Sequence, residues 1–168
     1  MSKKLPVCVE AEEFVKIIKA TNQEHHRLAF LLGFGSGLRI SEIVNLEQRD
    51  INIQEKRILV REGKGSKDRI VPLPKGFKQK HLAMLPIKCK ARSLQIAFKN
   101  ACRKAGILET KPTIHFHSLR HGFATQMIAN GVPIHHIKML MGHSNIATTS
   151  LYLISNPKDA LKSYQDLF

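Results

Sequence analysis

Apolar residues recur at helical spacing near the start of the chain. Phe14, Ile17 and Ile18 share one side of residues 11–20, which predicts an amphipathic helix, and the stretch LAFLLGF predicts a second over residues 24–34. Gly33, Gly35 and Gly37 then loosen the chain. A third helix is expected over residues 39–46, with Ile40, Ile43, Val44 and Leu46 on its buried side. The period then drops to two. Ile51 and Ile53, Ile58 and Val60, and finally Ile70, Val71 and Leu73 alternate with polar neighbours, which predicts a small antiparallel sheet with GKGSKD at the tip of its last hairpin.

Beyond Pro74 the helical period returns: a lysine-rich stretch over residues 76–84, then helices over 91–104, 117–129, 134–141, 145–151 and 157–167. Gly106 is read as a stop, and Gly131 and Gly142 stand where helix C-caps belong. Ser144 suits the N-cap of the short helix that leads to Tyr152. The fold expected is mainly α with a small antiparallel three-stranded β-sheet. Residues 1–168 are read as one domain, with residues 1–10 a linker and residues 153–168 a tail helix.

Composition narrows the class. A chain of 168 residues, 43% hydrophobic and without Trp, builds one aliphatic core. No apolar run reaches the roughly 18 residues of a membrane span, and the N-terminus turns acidic where a signal peptide is apolar. A cytoplasmic protein, nucleoid-associated or in a host cell, is expected. Cys8, Cys89 and Cys102 form no CxxC pair and suggest neither a disulfide framework nor a zinc ribbon. The net charge of +14 is unevenly spread: residues 1–55 carry 7 Lys and Arg against 8 Asp and Glu, and residues 56–104 carry 15 against 2. Such a block points to phosphates, and so to nucleic acid, with a merely solvated basic face as the alternative.

Three motifs carry candidate chemistry. GLRISE puts Arg39 at a helix start, where backbone N–H groups favour an anion, with Glu42 three residues on to orient the guanidinium. Taken alone, the pair is also an ordinary surface ion pair. HSLRHGFAT puts His117, Arg120 and His121 at i, i+3 and i+4 on one helix face. The two histidines have a metal-ligand spacing, but the HExxH glutamate is missing and the arginine between them repels a cation, so no metal is expected. LMGHSNIATTSLY places His143 in a tight turn and Tyr152 nine residues later. A single tyrosine in a helical segment is ordinarily core or interface.

In this order, with GKGSKDRIVPLP between the first and second motifs, the set resembles the tyrosine recombinase, or phage integrase, family (Xer-like) from Gly37 to Tyr152. The resemblance implies a catalytic set of Arg39, Lys64, His117, Arg120, His143 and Tyr152, with Tyr152 the nucleophile and Lys64 a hairpin general acid. Glu42 supports Arg39, and Lys67, Arg69 and His121 are expected to contact DNA. It further implies a double-stranded DNA substrate and exchange of phosphodiesters without metal, ATP or other cofactor. A homodimer or tetramer on DNA, joined through the C-terminal tail, is also implied; by pattern alone the tail equally suits packing on its own domain. Family members usually carry an N-terminal helical domain that this chain leaves no room for, so a fragment, or an enzyme with one arm of the clamp, is expected. Two rival readings remain open: a non-catalytic DNA-binding module, and a relaxing enzyme of the type IB topoisomerase kind.

Overall fold

A computed structural model describes residues 6–61 and 68–142. The helices are α1 (Ala11–Ala20), α2 (Glu24–Ser36), α3 (Ile40–Val44), α4 (Ala91–Lys104), α5 (His117–Ala129) and α6 (Ile134–Met141). Between α3 and α4 lies an antiparallel sheet, β1 (Ile51–Asn52), β2 (Arg57–Val60) and β3 (Arg69–Pro72), in the order β1-β2-β3. The mainly helical fold with a three-stranded antiparallel sheet is therefore as the periodicity predicts. α1, α4, α5 and α6 have the predicted bounds, and left-handed Gly131 and Gly142 follow the ends of α5 and α6.

Three elements differ from expectation. α2 continues to Ser36, through Gly33 and Gly35, which are expected to loosen the chain, and only Gly37 ends it. α3 has five residues rather than eight, ending at Val44 with Asn45 as its C-cap. The lysine-rich stretch forms a 3₁₀ segment, Gln79–Met84, because His81 turns its Nδ1 back to accept the Lys78 N–H at 3.0 Å. That bond starts a tight turn, and Pro86 lies just beyond its end.

α2 is the central helix, with Leu28, Ala29, Phe30, Leu32 and Phe34 buried on several sides. A helix apolar nearly all round is a core helix. Phe30 meets Phe98 of α4 and Phe116 edge-on, with centroids 5.4 and 5.9 Å apart, the arrangement that the ring quadrupoles favour. Gly122 lets α5 pack close to both α2 and the segment before α1: a Cβ there would lie 2.8 Å from Phe34 Cε2 of α2 and 2.3 Å from the Val9 carbonyl oxygen, and the Val9 N–H donates to the Ser118 carbonyl at 3.1 Å.

The sheet is pinned by register. Ile58 pairs with Val71 and Val60 with Arg69, so β2 buries Ile58 and Val60 while β3 buries Arg69 and Val71 and exposes Ile70. A smaller cluster of Phe123, Ala124, Ile137 and Met141 joins α6 to α5. The end of α2, the start of α3, the inner face of β3 and the end of α6 thus meet in one region.

Candidate active site

Glu42 is the hub of that region. Its Oε2 accepts the Arg39 backbone N–H at 2.7 Å and its Oε1 accepts Arg39 Nη1 at 2.8 Å. Arg69 Nη2 donates to both oxygens, at 2.9 and 2.8 Å. Burial tends to raise the Glu42 pKa, but the hydrogen bonds from Arg69 and Arg39 outweigh it and hold the carboxyl below its ordinary value. Glu42 does orient Arg39, as the spacing predicts, and it does so while gripping a second arginine.

Two expectations change here. A five-residue α3 has little dipole, and the N–H of its N-cap is already taken by Glu42, so the positive charge at that helix start is that of the Arg39 side chain rather than of the backbone. Arg69, expected to contact DNA, points inward: its side chain is 8% exposed, with Nη2 on Glu42 and Nε on the Leu140 carbonyl at 2.9 Å. Strand alternation is the reason, because Arg69 shares a face with buried Val71.

Arg39 and Arg120 differ in exposure. The Arg39 side chain is 35% exposed, with Nη2 on the Gly142 carbonyl at 3.1 Å. Arg120 is 1% exposed and donates to the carbonyls of Gly37 and Met141. Gly37 sits at φ +67°, and a Cβ there would lie 2.5 Å from Phe123 Cδ1, so the turn that offers its carbonyl to Arg120 needs glycine.

His117 opens α5 at the surface, its ring 4.7 Å from that of His121 at 87°. Protein packed beneath the imidazole, and then the positive charge of Arg120 beside it, bring its pKa down to about 4. At neutral pH it is an uncharged ring able to accept a proton. His115, which the motif reading passes over, lies with its ring centroid 6.4 Å from those of both His117 and His121. The HxH alternation across residues 115–117 was the available signal. His121 is half-buried against this pair.

Lys64, Lys67, His143 and Tyr152 lie outside the described residues, as does the tail over residues 153–168. Between α3 and β2 runs an open groove of about 390 Å³, lined by Arg39, Ser41, Glu42, Asp50, Leu59 and Arg61. Among the described residues, the cluster with metal-ligand spacing is His25, His26 and Cys89, whose ligand atoms lie within 4.8 Å of one another. It sits near the far end of α2, about 16 Å along the helix from Gly37 at 1.5 Å per residue, and contributes nothing to the arginine site.

A family model described as the phage integrase family matches residues 8–85 and 75–159, most of the chain. The chain belongs to the phage integrase family. It is similar to the tyrosine recombinase XerA of Thermococcus onnurineus, 36% identical over 170 residues that cover 89% of this chain and 58% of that relative. This phage integrase family chain thus spans a little under three-fifths of the curated relative. A crystal structure of XerA recombinase superposes with a TM-score of 0.78 at 26% identity, over 98% of this chain and 66% of that one. The catalytic domain of bacteriophage HP1 integrase superposes with a TM-score of 0.65 at 25% identity, over 93% of this chain and 94% of that domain.

Proposed function

We propose that this chain is the catalytic part of a site-specific tyrosine recombinase, acting on double-stranded DNA through a covalent bond to Tyr152. The observation that carries the reading is the convergence of Arg39, Arg120 and His117 beside the end of α6, two residues before His143. The near-complete overlap with an integrase catalytic domain supports taking residues 1–168 as that unit.

The chemistry follows from the side chains. Attack on a phosphodiester gathers negative charge on the non-bridging oxygens, and permanently charged, forked guanidinium groups offset it without a divalent ion. The Tyr152 phenol, with an ordinary pKa of about 10, loses its proton to a neutral acceptor as it attacks, and His117 is that acceptor. The bond from the Tyr152 oxygen to phosphorus forms as the bond from phosphorus to the 5′ oxygen breaks. Lys64 supplies the proton that the 5′ oxygen needs, and His143 hydrogen-bonds the phosphate. One phosphodiester replaces another, so rejoining by a 5′ hydroxyl of the same or a partner duplex needs no ATP. Assembly of two or four protomers on DNA through residues 153–168 completes the reading.

The test is incubation with a pool of nicked duplexes of randomised sequence, followed by denaturing electrophoresis with and without EDTA. A protein–DNA band that persists in EDTA is expected. A band that needs added Mg²⁺ contradicts the metal-free scheme, and binding without any band leaves the non-catalytic module. Joining of a labelled second duplex separates a recombinase from an enzyme that only relaxes DNA.

A further inference from the structure

Three arginines from three different elements reach the three successive carbonyls that close α6. Arg69 Nε donates to Leu140, Arg120 to Met141 and Arg39 Nη2 to Gly142. The last carbonyls of a helix have no donor within it and carry the negative end of its dipole, so guanidinium groups are well matched to them. Arg39 and Arg120 belong to the expected catalytic set. Arg69, in the hairpin motif that carries Lys64, does not.

Arg69 nevertheless makes the connection between the other parts. Its Nη2 holds both oxygens of Glu42, the carboxylate that also fixes the backbone and Nη1 of Arg39, and its Nε holds the helix end. Both side chains of this pair are close to fully buried, 8% and 10% exposed. The planar guanidinium reaches the carboxylate and the carbonyl from two separate nitrogens in fixed geometry; a lysine ammonium donates from a single atom, which does not span these two positions from the Arg69 site.

We propose that Arg69 is a positioning residue for strand transfer: it locks Glu42, and with it the Arg39 guanidinium, in fixed relation to the end of α6, which precedes His143 by two residues in the chain. The inference rests on the recombinase reading. It reassigns Arg69 from the DNA contact that its place in the basic hairpin suggests. It also explains why a charged side chain lies on the buried face of β3, where an isolated charge is costly.

The test compares the wild-type chain with Arg69→Lys and Arg69→Gln by three measurements, each read on protein whose thermal transition shows it folded. Hydrogen exchange of the last turn of α6 needs no DNA and is expected to be about tenfold faster in both variants, the loss of one buried charged hydrogen bond. Affinity for a random-sequence duplex, and its dependence on salt, are expected to be unchanged. The first-order rate of adduct formation at saturating nicked duplex is expected to fall by about tenfold to a hundredfold, with Lys failing to rescue it.

Unchanged exchange at α6 overturns the proposal. So does a salt slope lowered by about one with an unchanged saturated rate, which returns Arg69 to the phosphate contacts. So does a smaller reactive fraction at an undiminished rate, the mark of a purely structural residue. If the wild-type chain itself forms no adduct, the recombinase reading fails, and the exchange measurement still decides whether Arg69 holds the helix end.

Discussion

Arg39 and Arg120 share a charge but not an environment, and their removal has different consequences. For Arg39→Ala, single-turnover cleavage is expected to fall by at least about a hundredfold, with a small change in duplex affinity and in melting temperature, because the side chain is partly exposed. For Arg120→Ala, the carbonyls of Gly37 and Met141 lose their donor in a buried site, and stability is expected to fall by about 2–4 kcal/mol as well. Thermal unfolding of the two variants side by side checks the contrast. The motif made both residues legible, yet the burial of Arg120 was not, since it depends on carbonyls 83 and 21 residues away. The inward aim of Arg69 is legible in the two-residue period, which puts it on the face of Val71, although the basic charge of the hairpin by itself points to phosphate.

His117 gives a pH prediction at the same scale. Its folded pKa of about 4 lies below the ordinary 6.5, so the unfolded chain takes up the proton first as pH falls. Above about pH 6.5 the group contributes nothing to the pH dependence. Between 6.5 and about 4 it lowers stability as pH falls, and below that its effect levels off. Denaturant unfolding of wild type and His117→Asn across this window is expected to show a shallower decline in the variant. Equal slopes, or an imidazole resonance titrating near 6.5, would contradict the neutral, desolvated ring.

Among elements, the helices were readable because their apolar stripes repeat over several turns, as in α1 and α4. The apolar pattern outruns α3 because Leu46, apolar and buried, continues it after the helix has ended at Val44. The 3₁₀ segment Gln79–Met84 departs from the helical period of residues 76–84 because a side chain, His81, decides its geometry. The turn between α2 and α3 carries the clearest test at this scale. Gly37→Ala puts a Cβ into Phe123 at positive φ, and a loss of about 2–3 kcal/mol is expected. Because this turn supplies a carbonyl to Arg120, cleavage by the folded fraction is expected to fall too; thermal unfolding combined with single-turnover kinetics separates the two effects.

For the whole molecule, folding redistributes the charge that the linear sequence separates. Four basic residues of the 56–104 block, Arg57, Arg61, Arg69 and Lys80, pair with Glu55, Asp50, Glu42 and Glu24 of the preceding, nearly neutral stretch. Arg69 is thereby withdrawn from phosphate, while Arg57, Arg61 and Lys80 stay exposed in weak surface pairs, a division that no local pattern encodes. The remaining excess still predicts salt-sensitive binding. Affinity for a random-sequence duplex is expected to drop at least about a hundredfold between about 50 and 200 mM salt, as for roughly four neutralised phosphates. Fluorescence anisotropy over that range measures it, and a flat dependence would remove nucleic acid as the partner.

The central claim is a covalent bond from DNA to one particular tyrosine of the two in the chain, Tyr152 and Tyr164. Peptide mapping by mass spectrometry of the adduct trapped on nicked duplex in EDTA tests it most directly. The account predicts the phosphodiester on the peptide containing Tyr152 and no adduct from Tyr152→Phe. A nucleotide mass on Tyr164, or an adduct that survives Tyr152→Phe, would contradict it.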